Sequence, residues 1–197
     1  MQKINLLYLS MLSFVFIATS AISLNSGFDQ FVTYVYPEKN TKAYSDLPVL
    51  GDSIGYPVIS AQSAMAVDLT SGVFLYEKDP EKKLLPASTT KILTALVALD
   101  SYEMDQVLKV PYIKVEGQKM GLVEGEEITF ENLLNGLLIY SANDAAEVLA
   151  QNYTGGRELF IALMNKKAKD LGLTNSHFSN PVGLDSVDQY STTKDLI

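Results

Sequence analysis

The chain has 197 residues, of which 47% are hydrophobic and 19% charged, with a net charge of -8. That is enough apolar material for a core, and too little charge for a disordered chain. The acidic balance opposes a phosphate backbone, so nucleic acid is not an expected partner. No cysteine is present, which excludes thiol nucleophiles, disulfides and cysteine-based zinc sites, and the single histidine, His177, excludes a two-histidine metalloprotease helix. No metal or cofactor is expected.

The first 21 residues read as an export signal: Lys3 leads a mainly apolar run from Leu6 to Ala18, and small residues follow at Ala18, Ser20 and Ala21. The alternative is an uncleaved N-terminal anchor, because the run is near the short end for a membrane span. Either places the remainder outside the cytoplasm, with the membrane touched only through this segment. Residues 22–59 contain Pro37, Pro48, Pro57, Gly51 and Gly55 among mixed polar residues, and read as an irregular lead-in.

An ordered domain is expected over 60–197. Ala64–Asp68 and Val73–Tyr76 flank Thr70-Ser71-Gly72 in the pattern of a hairpin. From Ser88 to about Leu99 the residues predict a helix that is apolar on nearly every side beyond its first turn, and therefore buried. Val107–Pro111 is a possible strand. Thr129 is suited to cap a helix from Phe130 to about Tyr140, with Glu131 in its first turn. Ser141-Ala142-Asn143 interrupts, and a second helix runs from about Asp144 to Asn152. A third is expected from Arg157 to Leu171, with Phe160, Leu163, Met164, Ala168 and Leu171 on one stripe and Gly172 just past its end. Two strands followed by a helix-rich stretch define an α+β domain.

Two constellations carry chemistry. Ser88 is expected at a helix N-terminal edge, where free N–H groups favour a developing anion. Lys91 follows three residues on, so the two side chains are neighbours. A serine hydroxyl needs a base, and a lysine serves when desolvation disfavours its charged form. Ile92, Leu93, Leu96 and Val97 are expected to supply that desolvation. The plainer reading is a helix cap beside a surface lysine; Ser191-Thr-Thr-Lys194 has the same spacing without an apolar helix. In Ser141-Ala-Asn143, a break between helices can aim a hydroxyl and an amide into one cleft, where the amide holds a carbonyl and the hydroxyl relays a proton. The plainer reading is that Asn143 caps the next helix.

Together these pieces resemble the motif set of the penicillin-binding proteins and β-lactamases. Pro86-Ala-Ser88-Thr-Thr-Lys91-Ile-Leu-Thr-Ala-Leu is similar to the nucleophile segment of the serine-type D-alanyl-D-alanine carboxypeptidases, peptidase family S11. Leu137-Leu-Ile-Tyr-Ser141-Ala-Asn143-Asp-Ala-Ala resembles their second motif, and Phe178-Ser-Asn180-Pro181-Val-Gly183-Leu184-Asp185 a further segment. The resemblance runs from about Ala61 to the last residue. It implies a β-lactamase/transpeptidase-like fold, an antiparallel sheet with a helical subdomain. It implies a peptidoglycan stem peptide ending in D-Ala-D-Ala as substrate, with β-lactams as covalent inhibitors. Ser88 would attack the carbonyl between the two alanines and Lys91 would take its proton, while Ser141 and Asn143 complete the relay and bind substrate. The family's Lys-Thr-Gly strand, which follows the region matched here, is not in the sequence. The resemblance therefore implies a C-terminally incomplete domain, through a split gene, a frameshift or an incomplete record, with much or all of the activity lost.

Three rivals stand beside this reading. Gly51-Asp-Ser53-Ile-Gly55 matches a hydrolase elbow, but prolines flank it where a strand and a helix are required. A class A β-lactamase usually carries aspartate where this chain has Ala142. The third is a non-catalytic remnant or wall-binding protein. His177 reads as structural, beside a turn at Asn180-Pro181.

Overall fold

The computed structural model describes residues 55–197; the expected export signal, most of the expected lead-in and the elbow-like pattern at Ser53 lie outside the described residues. Strand β1 (Ala64–Val67) pairs antiparallel with β2 (Phe74–Lys78), and the register shifts between Ala66 and Val67. The connecting turn is the expected one. Asp68 accepts the Ser71 amide at 2.8 Å and the Ser71 hydroxyl, bonds that hold its carboxyl below the usual carboxylate range. Gly72 closes the turn at φ 71°, in the left-handed region that glycine occupies without penalty.

A single 3₁₀ turn (Ala87–Thr89) leads into α1 (Thr90–Leu99). Strands β3 (Val107–Lys109) and β4 (Glu127–Thr129) form a second antiparallel pair. Sequence reasoning gave no sign of β4, a three-residue strand with no alternation long enough to read. It runs directly into α2 (Phe130–Ile139), whose first turn is capped as expected by the Thr129 hydroxyl accepting from the Asn132 amide.

Helices α3 (Asn143–Asn152) and α4 (Gly156–Asp170) follow, and a last short turn, α5 (Thr193–Leu196), lies near the C-terminal residue. Helix α4 ends in a Schellman arrangement: Gly172, at φ 82°, donates to Lys169 O at 3.0 Å, and Leu173 to Ala168 O at 2.9 Å. Its inner stripe is Phe160, Ile161, Met164 and Ala168, with Leu163 packed at the edge. Leu171 does not belong to the stripe, being 52% exposed at the helix end.

The helix buried on all sides is α3, not α1. Ala142, Ala145, Ala146, Val148, Leu149 and Ala150 are all 0% exposed. Small alanines let α1, α2, α4 and β3 approach this helix from every direction. Its one buried acid in the middle, Glu147, is bound bidentately by Arg157 at 2.8 and 3.1 Å. Helix α1 instead leaves Ile92 (58%) and Leu96 (36%) open, because its outer face meets no other described element. Tyr102 anchors the far side of the core, donating to Leu149 O at 2.6 Å with its ring 5.4 Å from that of Phe130; burial pushes its phenol well above the usual value.

Phe160, on α4, is fully buried with its ring 5.8 Å from that of Tyr153, whereas Leu184 is 43% exposed. Phe160→Ala is expected to cost about 3–5 kcal/mol of stability, and Leu184→Ala within about 0.5 kcal/mol. Urea unfolding of the two variants beside the parent measures both; a Phe160→Ala loss under about 1 kcal/mol would contradict the packing described.

Candidate active site

Ser88 lies in the middle of the 3₁₀ turn, two residues before α1 begins, rather than at the first position of the α-helix. The preceding Ala87 has φ 47°, a left-handed conformation that costs an L-residue roughly 1–2 kcal/mol. The turn presents Ser88 at an exposed position while Lys91, in the first turn of α1, is 2% exposed. The Lys91 ammonium reaches back to Ser88 Oγ at 3.1 Å and donates to Val182 O at 2.9 Å. Burial holds the lysine below its ordinary value of 10.5. In its neutral form the amine keeps an N–H for Val182 O and turns a lone pair to the Ser88 proton, which is the arrangement a general base needs.

The desolvation does not come from the helix face the sequence suggested. Ile92 and Leu96 point outward, and only Leu93 and Val97 are buried. The closing wall is the segment from Phe178 to Gly183, far along the chain. It gives Pro181 O to the Thr94 hydroxyl at 2.7 Å and Val182 O to Lys91. Asn180 shapes this segment, its Oδ1 accepting from the amides of Val182, Gly183 and Leu184 at 3.2, 2.8 and 3.1 Å. Gly183 sits at φ 87°, and a Cβ there would overlap the carbonyl of Ala87 and crowd the Thr90 hydroxyl. The strained turn carrying the serine and the loop that buries the lysine thus touch backbone to backbone.

Gln189 fastens the same junction from behind. At 1% exposure it donates to Thr90 Oγ1 at 3.0 Å and accepts from the Ser179 amide at 2.7 Å. Neither Gly183 nor Gln189 was picked out as a working residue by sequence reasoning. The only signal was that Gly183 falls inside a segment of family resemblance.

Ser141 occupies the break between α2 and α3 at φ 56°. Asn143 does not cap α3: Ala142 is the N-cap, and Asn143 is the first helical residue. Its side chain donates to Glu116 O at 2.6 Å and its own amide to Gln118 O at 2.7 Å. Among the described residues no hydrogen bond joins Ser141 or Asn143 to Ser88 or Lys91. The packing of α3 on α1 sets the two motifs on adjoining elements of one core.

The competing serine–lysine spacing is dismantled by the fold. Ser191 is 2% exposed, bridges to Leu84 through its backbone and shares a 2.8 Å hydrogen bond with Ser176 Oγ; Lys194 pairs instead with Glu81 at 2.6 Å. His177 pairs through its backbone with Tyr190, and its Nδ1 meets Asp188 O at 2.6 Å. The open surface hollows, one bordered by Glu77, Asp79 and Lys194 and another by Gln62, Ser63 and Lys83, include none of Ser88, Lys91, Ser141 or Asn143.

The geometry is that of an exposed serine with a desolvated lysine in reach, on an α+β scaffold. The chain belongs to the D-alanyl-D-alanine carboxypeptidase family, peptidase family S11, whose model matches residues 52–197. It is 40% identical over 149 residues to the D-alanyl-D-alanine carboxypeptidase DacB2 of Mycobacterium tuberculosis, covering 74% of this chain and 51% of that protein. Against DacF of Bacillus subtilis the identity is 36% over 143 residues, covering 69% of this chain and 37% of the relative. The crystal structure of DacD from Francisella tularensis superposes with a TM-score of 0.69 at 29% identity, over 82% of this chain and 41% of that one. The Streptomyces K15 DD-transpeptidase gives 0.65 at 31% identity, over 73% and 60%. These likenesses establish the β-lactamase/transpeptidase-like fold, and the chain spans about half or less of the length of the curated relatives named here.

Two outcomes follow from the geometry. Unfolded Lys91 titrates near 10.5 and folded Lys91 below it. Between those values the unfolded chain binds more protons, so this group adds stability as pH rises through the window and withdraws it as pH falls. Lys91→Met lacks the effect. The stability difference between parent and variant is expected to move in the parent's favour from neutral pH toward 10.5, and parallel urea curves at all pH values would refute the shift. At Gly183, alanine meets both a left-handed φ and the Ala87 carbonyl, and is expected to cost more than about 2 kcal/mol. Gly72→Ala, at φ 71° in open space, meets only the first penalty and is expected to lose about 1 kcal/mol. Thermal unfolding of the pair checks the order.

Proposed function

We propose that this chain carries the acylation machinery of a serine-type D-Ala-D-Ala carboxypeptidase acting on peptidoglycan stem peptides outside the cytoplasm. The observation that carries the reading is Lys91 Nζ, buried and held 3.1 Å from the exposed Ser88 Oγ. Ser88 Oγ attacks the carbonyl between the two terminal D-alanines as neutral Lys91 takes its proton. The tetrahedral adduct collapses, the C–N bond breaks, and D-alanine leaves with a proton returned through the lysine and Ser141. Water then hydrolyses the Ser88 ester and regenerates the hydroxyl. Asn143 offers its amide to the substrate backbone. A β-lactam enters the same way through its strained ring amide and stops at the ester. Family membership and the names of the relatives support substrate and reaction. The apolar N-terminal run supports export, and among the described residues no helix is long and apolar enough to cross a membrane.

A second reading, a wall-binding protein without turnover, is favoured by one observation: among the described residues no hydrogen bond joins Ser141 or Asn143 to Ser88 or Lys91. One experiment separates the two. The chain is treated with a penicillin both alone and fused to the C-terminal remainder of the Mycobacterium tuberculosis relative, then digested for mass spectrometry. The fusion is expected to carry a single adduct, on Ser88. Lys91→Arg, whose guanidinium stays protonated, is expected to slow labelling by at least the 10²–10⁴-fold typical of a lost general base. An adduct on the Ser191 peptide, or undiminished labelling of Lys91→Arg, overturns the mechanism. Absence of any adduct on the fusion favours the reading without turnover.

A further inference from the structure

Asn143 is aimed by a segment that has no regular structure of its own. Residues 116–122 run across the start of α3 and beside the second half of α2. Glu116 O takes the Asn143 side-chain amide at 2.6 Å, and Gln118 O takes the Asn143 backbone amide at 2.7 Å. Gly117 between them has φ 82°, and a Cβ there would come within 2.8 Å of Asn143 Nδ2, so the backbone must pass this close as glycine. Further on, the Met120 side chain lies so near Gly136 of α2 that any Cβ there would collide with its sulfur.

What holds the segment against α3 is a single carboxylate. Asp144 is 3% exposed, and its Oδ1 accepts from the Met120 amide at 3.0 Å while its Oδ2 accepts from Gly121 at 2.9 Å and Leu122 at 3.1 Å. Oδ1 also takes the Ala145 amide in the first turn of α3 at 3.0 Å. Four backbone N–H groups therefore surround one buried anion, and among the described residues no cation pairs with it. Each amide is charge-assisted and shorter-ranged than an ion pair, so the contact specifies position as well as energy. Peptide N–H groups that lost this partner would be left without another in a segment with no ladder of its own.

We propose that Asp144 is a positioning residue for the acylation site: by clamping 120–122 it fixes Glu116 and Gln118, and through them the direction of the Asn143 amide toward substrate. The proposal rests on the reading of Asn143 given above, and it adds a residue that touches neither substrate nor Ser88. An aspartate is required rather than an asparagine. A carboxamide at this position keeps one acceptor oxygen and turns an NH₂ toward the Gly121 and Leu122 amides, donor against donor. A glutamate adds a methylene where the carboxylate already fits.

The test uses the 197-residue chain, isotopically labelled, with Asp144→Asn and Glu147→Gln compared to the parent. Glu147, on the same helix as Asp144, pairs with Arg157 of α4; Glu147→Gln weakens that pair without substituting a partner of 116–122, and so controls for lost stability alone. Solvent exchange of the Asn143 side-chain amide and of the Met120, Gly121 and Leu122 backbone amides is followed by NMR. Asp144→Asn is expected to speed exchange at all four at least tenfold, and Glu147→Gln to leave them near the parent rates. Equal acceleration in both variants, or protection of Asn143 preserved in Asp144→Asn, overturns the clamp. Should Asp144→Asn not fold, Gly117→Ala in the same assay displaces Asn143 from the other side, and an unchanged Asn143 resonance there overturns it as well. Penicillin acylation of the fusion protein then reads the link to chemistry, with a 10- to 100-fold slower rate expected for Asp144→Asn. Freed amides with an unchanged acylation rate would uphold the clamp and overturn instead the role given to Asn143.

Discussion

A lysine amine kept out of water beside a serine hydroxyl is the constraint to which the surrounding structure answers. An ammonium buried with a single carbonyl acceptor is poorly compensated, and the protein relieves this by lowering the affinity of Lys91 for its proton. That requires a wall that excludes water and yet offers an acceptor, and the Pro181–Gly183 backbone does both. It also requires Ser88 to stay outside while its neighbour three residues on is inside. The 3₁₀ turn and the left-handed Ala87 achieve this by redirecting the chain before α1 begins.

The strain at Ala87 is sustained by its surroundings. Gly183 abuts its carbonyl, and Gln189 ties Thr90 to Ser179 behind the same junction. The other left-handed non-glycine residue in a motif is Ser141, at the break between α2 and α3. Both serines of the proposed relay therefore belong to or adjoin backbone that an isolated peptide would avoid. Such conformations persist where packing over-determines them, and here the packing is supplied by α3, the alanine-rich helix around which the other helices close.

The two halves of the site are built by different physics. Around Ser88 and Lys91 the decisive term is exclusion of water by a distant loop. Around Asn143 it is satisfaction of backbone amides by one buried carboxylate, Asp144, in a segment lacking secondary structure. Each arrangement leaves one functional group accessible: in the first the exposed Ser88, whose hydroxyl meets Lys91, and in the second the carbonyl end of the Asn143 amide, which no described residue engages. The outward Ile92 and Leu96 on α1 show that, over the described residues, one face of this helix is open.

Much of this was legible in the residues themselves. The hairpin around Thr70-Ser71-Gly72, the Thr129 cap, the Gly172 terminator and the serine–lysine spacing all depend on interactions within a few positions, so local pattern carries them. The family resemblance extended that reading to Ser141 and Asn143. What local pattern could not supply was partnership at long range. Hydrophobicity marked α1 as the fully buried helix, but the alanines of α3 allow closer approach on every side, and burial follows from neighbours rather than from side-chain polarity. The bed of Lys91 lies at Val182 because the chain folds back there, and no periodicity around Lys91 announces a carbonyl so distant in sequence. The carboxylate of Asp144 reads as an ordinary acid in a helix's first turn until the tertiary fold lays three further amides upon it. Sequence alone determined which groups are candidates for the proposed chemistry; only the folded chain decided which of them are stripped of water and held in place.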